Sequence, residues 1–148
     1  NFSYPEPTGV VSAIAPNESS LIGLVSVVAP IIAGGNTVVA LASEENPLCA
    51  ITFAEVLHTS DVPGGVVNIL TGHRSELLEQ FSSHMDVNAI VYCGNASEEI
   101  KLVQENAALN VKRPIVYSNE NWLDKNTQDP YRILNTLETK TTWHPVGV

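Results

Sequence analysis

Basic side chains are scarce in this sequence: seven Lys and Arg stand against sixteen Asp and Glu, for a formal charge of −9. A surface that negative repels phosphate backbones and anionic bilayers, so no nucleic acid and no membrane surface is expected as a partner. Cysteine is nearly absent as well. Cys49 and Cys93 are too few for a disulfide framework and have no metal-ligand spacing, so no metal is expected and they read as reduced thiols of a cytoplasmic protein. Three Asn-x-Ser triplets, at Asn1, Asn17 and Asn95, oppose that reading. No secretory signal accompanies them, and Asn17 and Asn95 read as helix-start residues. The chain opens on Asn1 rather than Met, as an excised piece would. An unbroken membrane span is lacking too: Leu21 to Ala42 is long and apolar, but Pro30 interrupts it and Gly34-Gly35-Asn36 stops it.

The common chemical motifs are missing. Ala15-Pro16-Asn17-Glu18-Ser19-Ser20 stands where a G-x-G-x-x-G loop would follow the first core strand. There is no P-loop, no zinc constellation and no G-x-S-x-G turn. His58, His73, His84 and His144 are scattered, none beside a nucleophile.

What remains is a strong alternation of two kinds of apolar run. Val10–Ala15, Thr37–Leu41, Val66–Leu70, Ala89–Tyr92 and Pro114–Tyr117 are short, β-branched and continuous, as strands covered on both faces should be. Between them, helical spacing joins Leu21 to Ile32, Leu48 to Leu57, Leu77 to Phe81 and Ile100 to Leu109. Pro47 suits a helix's first turn, and Asn95-Ala-Ser-Glu98 has capping-box spacing. Alternation of this kind predicts an α/β fold, a doubly wound Rossmann-like parallel sheet of about five strands. The reading divides the chain into such a domain over 6–117 and a polar linker with a C-terminal arm over 118–148. In the latter, Tyr131–Leu137 reads as a short helix and Lys140–Val148 as a strand. Trp122 and Trp143 are candidate interface anchors, although core packing is the expected fate of either one taken singly.

From Glu6 to about Pro114 the chain resembles the nucleotide-binding domain of aldehyde dehydrogenases. Pro7-Thr-Gly-Val-Val-Ser-Ala-Ile-Ala-Pro16 resembles that domain's first strand. Ala33-Gly34-Gly35-Asn36-Thr37-Val38-Val39 is similar to the turn into its second. Pro63-Gly-Gly-Val-Val-Asn-Ile-Leu-Thr-Gly72 and Asp86-Val-Asn-Ala-Ile-Val-Tyr-Cys-Gly94 match two later landmarks in order. Val111-Lys112-Arg113-Pro114 and the stretch Thr139 to Gly147 resemble the degenerate second unit of the family-sixteen, two-unit members.

The resemblance implies that the chemistry has been removed. Glu18 occupies the position of the Asn that donates to the oxyanion in active members, and losing one such donor costs roughly 3–4 kcal/mol. Tyr117 occupies the position of the general base, where a phenol of reference pKa near 10 is a poor proton acceptor at neutral pH. Neither cysteine matches the nucleophile. Of the Lys and Glu that hold the adenosine ribose, Glu44 survives while Leu41 replaces the ammonium, so NAD is favoured over NADP if a dinucleotide binds. Gly94 and Asn95 stand where a helix N-terminus would meet the pyrophosphate. Against that binding role, Asn95 reads preferentially as a cap.

The expectation is therefore a catalytically inactive domain with no catalytic residue and no required cofactor. It would serve structure or assembly in a larger, homo-oligomeric family member, packing against another domain or subunit. Two alternatives stand beside it: a residual NAD-binding module through Glu44, Gly94 and Asn95, or part of an intact NAD-dependent aldehyde oxidoreductase whose catalytic residues lie elsewhere.

Overall fold

A computed structural model describes residues 1–145 of the chain. Its elements run β1 (Phe2–Pro7), β2 (Val10–Ile14), α1 (Ile22–Ala33), β3 (Thr37–Leu41), α2 (Leu48–His58) and β4 (Val67–Leu70), then α3 (Arg74–Ser83), β5 (Ala89–Cys93), α4 (Ser97–Leu109) and β6 (Arg113–Tyr117). Two 3₁₀ segments, Lys125–Thr127 and Pro130–Thr136, lead into β7 (Leu137–Thr142). Strands β2 to β6 form one parallel sheet in the order β4-β3-β2-β5-β6. That is the doubly wound α/β architecture expected from the alternation.

The two faces of the sheet are covered by different helices. Leu24, Val27, Val28 and Ile31 of α1, with Ala50 of α2, pack on Val11, Ala13, Val38, Ala40 and Val91. On the other face Leu78 and Phe81 of α3 and Val103 of α4 meet Ile14, Leu41, Ile90 and Tyr92. Every residue of β5 is buried, which explains why its sequence shows no alternation.

Four local expectations are corrected. Pro30 does not interrupt α1: it sits in the last turn, and the helix ends at Gly34, with Gly35 at φ 86° turning the chain. Pro47 stands one residue ahead of α2 as its N-cap. Asn95 does not cap α4, whose N-cap is Ala96 with no side-chain hydrogen bond. Asn17 likewise lies well before α1; its side chain accepts from Glu44 N–H at 3.1 Å, tying the ends of β2 and β3 together.

The N-terminal segment holds an element that the apolar pattern did not reveal. β1 pairs antiparallel with β7 in a separate two-stranded ribbon, Phe2 opposite Thr142 and Pro7 opposite Leu137. Its six residues include Pro5 and Pro7, which mask it as a strand but are tolerated on an edge. β7 begins three residues earlier than the expected strand at Lys140 and ends at Thr142. The final residues of that expected strand, 146–148, lie outside the described residues. Tyr131–Leu137 is helical as expected, but as a 3₁₀ segment.

One buried side chain holds this ribbon to the sheet. Asn36 is 2% exposed. Its Oδ1 accepts from Gly9 N–H at 2.8 Å, between β1 and β2. Its Nδ2 donates to Ile31 O of α1 at 3.2 Å and to Thr136 O, just before β7, at 3.0 Å. Without the Asn36 side chain the Gly9 N–H loses its acceptor, at about 1–3 kcal/mol for an unpaired donor. Asn36→Ala should therefore lower stability by about 2–3 kcal/mol, read from urea unfolding, whereas a change under half a kilocalorie would remove Asn36 from this role.

Candidate functional site

In the sheet order β4-β3-β2-β5-β6, successive crossovers run outward from β2 in one direction and from β5 in the other. The carboxyl ends of β2 and β5 thus diverge, and such a switch point is where open α/β sheets leave a crevice. A crevice of about 350 Å³ is found there. Its lining includes Asn17 and Glu18 after β2, Glu44 after β3, Arg74 at the start of α3, and Tyr92, Gly94, Asn95, Ala96 and Glu99 around the start of α4. The fold thus brings together Glu18, Glu44, Gly94 and Asn95, four of the five positions singled out from the sequence.

The crevice is also lined by a residue that was not singled out. The Arg74 side chain is 13% exposed and its guanidinium lies across the gap. Nη2 donates to the carbonyls of Ala15, at the end of β2, and Cys93, at the end of β5. Nη1 lies 4.0 Å from a Glu99 carboxylate oxygen, and the guanidinium carbon sits 5.8 Å from the centre of the Tyr92 ring. One sequence signal could have pointed to it. Arg74 is the only Lys or Arg among the first hundred residues, which hold eleven Asp and Glu.

The remaining polar groups are engaged around it. Glu44 accepts the Arg74 backbone N–H and so caps α3, with His73 Nδ1 3.6 Å from its other oxygen. The Tyr92 hydroxyl donates to Glu99 at 2.6 Å. Asn95 accepts from Asn119 N–H at 2.7 Å. Gly94 also has a local reason: a Cβ there would lie 2.7 Å from the Tyr92 hydroxyl oxygen. Glu18 is exposed at the mouth.

Tyr117 lies outside this crevice. Its hydroxyl accepts from Asn135 Nδ2 at 2.8 Å, and its ring meets Trp122 edge-on with centroids 6.1 Å apart. Arg132 is lodged over both rings, 4.3 Å from Tyr117 and 5.2 Å from Trp122, and its Nη2 pairs with Glu120 at 2.8 Å. Trp122 is 3% exposed and belongs to the core, the fate expected of it singly, and so is no surface anchor. Trp143 is 70% exposed.

The residue pattern and the fold now meet in comparison with known proteins. The model of the aldehyde dehydrogenase family matches residues 1–117. The chain belongs to the aldehyde dehydrogenase family. It is 35% identical over 124 residues to the hydroxyisobutyraldehyde dehydrogenase of Mycolicibacterium austroafricanum, covering 78% of this chain and 25% of that protein. It is 38% identical over 115 residues to the cytosolic aldehyde dehydrogenase 1 of Elephantulus edwardii, covering 76% and 23%. Aldehyde dehydrogenase C of Pseudomonas syringae, solved with NAD+ and octanal, superposes with a TM-score of 0.75 at 35% identity over 78% of this chain and 24% of that one. The chain thus spans about a quarter of the length of the relatives it matches. None of these matches singles out family sixteen.

A dinucleotide fits this aldehyde dehydrogenase crevice poorly. A bound dinucleotide would meet the carboxylates of Glu18, Glu44 and Glu99 in the lining, while the one guanidinium is held on backbone carbonyls. The ribose-facing role of Glu44 competes with its capping of α3. Among the described residues no group of three or more His, Cys, Asp or Glu is arranged to hold a metal, and no helix is long and apolar enough to cross a membrane.

Burial pushes the Tyr92 hydroxyl well above its ordinary range, helped by its bond to Glu99, and burial does the same to the Tyr117 hydroxyl and the Cys93 thiol. The folded chain then keeps protons that the unfolded chain releases above about pH 8.5 for the thiol and about pH 10 for the phenols. Stability from these groups is intact below those values and falls as pH rises past them, by at most about 1.4 kcal/mol per pH unit for each group. Urea unfolding at pH 7, 9 and 10.5 should show that decline, with Tyr92→Phe shallower above pH 10. A flat profile would contradict the protected phenols.

Proposed function

We propose that this chain is a catalytically inactive aldehyde dehydrogenase domain kept for assembly rather than for cofactor or aldehyde chemistry. The observation that carries the reading is the Arg74 guanidinium in the switch-point crevice, bonded to the Ala15 and Cys93 carbonyls. The Pseudomonas syringae relative was solved with NAD+, whereas this chain lines its crevice with its own cation and three carboxylates. Glu18 at the oxyanion position supports the same reading, because an ionised carboxylate accepts hydrogen bonds and repels a developing negative charge. Neither thiol offers an alternative nucleophile. Cys93 is buried with its thiol held protonated, and Cys49 lies inside α2.

The β1–β7 ribbon supports the assembly role. A two-stranded ribbon is marginal by itself, and this one leaves most of its residues exposed. Phe2, Tyr4 and Trp143 are exposed along it, and the Phe2 ring stacks on His144 at 5.9 Å. Strand edges and aromatic side chains in this state suit another domain or subunit of the same family protein, in a homo-oligomer of the cytoplasm.

One sedimentation-velocity experiment on the purified chain with NADH tests both halves. The chain should associate as its concentration rises, Phe2→Ser combined with Trp143→Ser should shift it to monomer, and NADH absorbance should not travel with the protein. A monomer at every concentration would end the assembly reading. NADH co-sedimenting with wild type, and lost in Glu44→Ala, would instead favour a residual nucleotide-binding module.

A further inference from the structure

β4 is the last strand on its side of the sheet. The ladder to β3 uses alternate residues: Val66 O accepts from Val38 N–H and Leu70 O from Ala42 N–H, both at 2.9 Å. Val67 and Ile69 therefore turn their N–H and C=O groups away from β3, and no strand lies beyond them among the described residues. An open edge of this kind is a template for another strand.

Other edges of the fold are blunted, and this one is not. β6 carries Pro114, and the ribbon strands carry Pro5, Glu6, Pro7, Glu138 and Lys140. β4 has no proline and no charge, and residues 62–73 contain no Asp, Glu, Lys or Arg.

Beside the open edge lies a groove of about 410 Å³, lined by Ala54 and Leu57 of α2, by Gly64 and Gly65, and by Val67 and Ile69. A Cβ on either glycine would meet nothing within 4 Å, so the turn leaves room for an approaching backbone. Residues opposite one another in a ladder place their side chains on the same face. Residues of an added strand opposite Val67 and Ile69 would thus point to the groove side of the sheet.

The lining and the charge select the occupant. A second copy pairing edge to edge would offer its own Val67 and Ile69, which are already packed on their own core. It would also bring a second formal charge of −9 against the first. An uncharged extended segment with free aliphatic side chains meets neither obstacle.

We infer that the outer edge of β4 is an augmentation site for an extended, uncharged segment of a partner protein, whose alternate branched aliphatic side chains fill the groove beside α2. Its lining shares no residue with the Arg74 crevice or the β1–β7 ribbon.

The probe is a short peptide alternating Val and Thr, with a fully N-methylated copy as control, which keeps the side chains but donates no backbone hydrogen bond. Binding to the whole chain is read by fluorescence anisotropy, and the Val67 and Ile69 amides are followed by NMR hydrogen exchange. Both amides should exchange fast in the free chain, and saturating peptide should slow them by about tenfold or more. The methylated copy should not bind. Val67→Pro removes an N–H that faces away from the sheet, so it should fold and bind about tenfold or more weakly. If that variant fails to fold, the exchange of the wild-type amides decides alone. Absence of binding, equal binding of the methylated copy, or bound peptide with both amides still fast would overturn the site. Protection that rises with the concentration of the free chain would overturn it in favour of a second copy.

Discussion

Parallel strands that part at a switch point leave backbone carbonyls facing a gap, and the gap must be filled by a ligand, by water or by the chain itself. Here the Arg74 guanidinium bridges Ala15 of β2 and Cys93 of β5. Hydrogen bonds from a charged donor are roughly twice as strong as neutral ones, and removing such a donor leaves acceptors unpaired. The surrounding residues follow from that placement. Glu99 and the Tyr92 ring balance the cation, Gly94 makes room for the Tyr92 hydroxyl, and Glu44 fixes the backbone from which Arg74 projects. A crevice organised around an internal cation has different requirements from one organised around a pyrophosphate.

A second constraint joins the sheet to the ribbon. Asn36 sits in the turn between α1 and β3, where its amide reaches α1, the β1–β2 junction and the residue before β7. Thr8 reinforces the junction, with its N–H and its hydroxyl both donating to Thr136 O. Arg113 adds a bond from β6 to Leu137 O. The two ends of the chain are thus held together on the sheet side, and the ribbon projects from that base with its aromatic side chains in solvent. The segment from Ser118 to Thr136 closes the α1 face in between, through Trp122 in the core and Arg132 over Tyr117.

Much of the fold was legible because buried parallel strands and amphipathic helices leave separate periodicities. All five core strands fall within a residue or so of the apolar runs, from β2 at Val10–Ile14 to β6 at Arg113–Tyr117. β1 was not legible, since its prolines and exposed alternation carry no core signal, and pairing with β7 across the whole chain is set by tertiary structure. α3 was underestimated for a related reason: its first turn, Arg74 to Glu76, is polar, and Arg74 and Ser75 line the crevice. At the site, position alone could be read. Glu18, Glu44, Gly94 and Asn95 do converge, but their hydrogen-bond partners come from loops distant in sequence, as with Asn95 and Asn119. Arg74 was missed because no motif contains it; only its isolation in an acidic stretch marks it.

The central claim is that the Arg74 guanidinium is held in the crevice by the chain's own carbonyls and is not available to a dinucleotide. Its Nε atom is buried without a hydrogen-bond partner. The most direct measurement is the side-chain Nε–H signal of Arg74 in a nitrogen–proton NMR spectrum, assigned by its disappearance in Arg74→Lys and followed during titration with NAD. The account predicts a resolved signal, slow to exchange with solvent and unmoved by millimolar NAD. Rapid exchange in the free chain, or a shift that saturates with NAD, would contradict it.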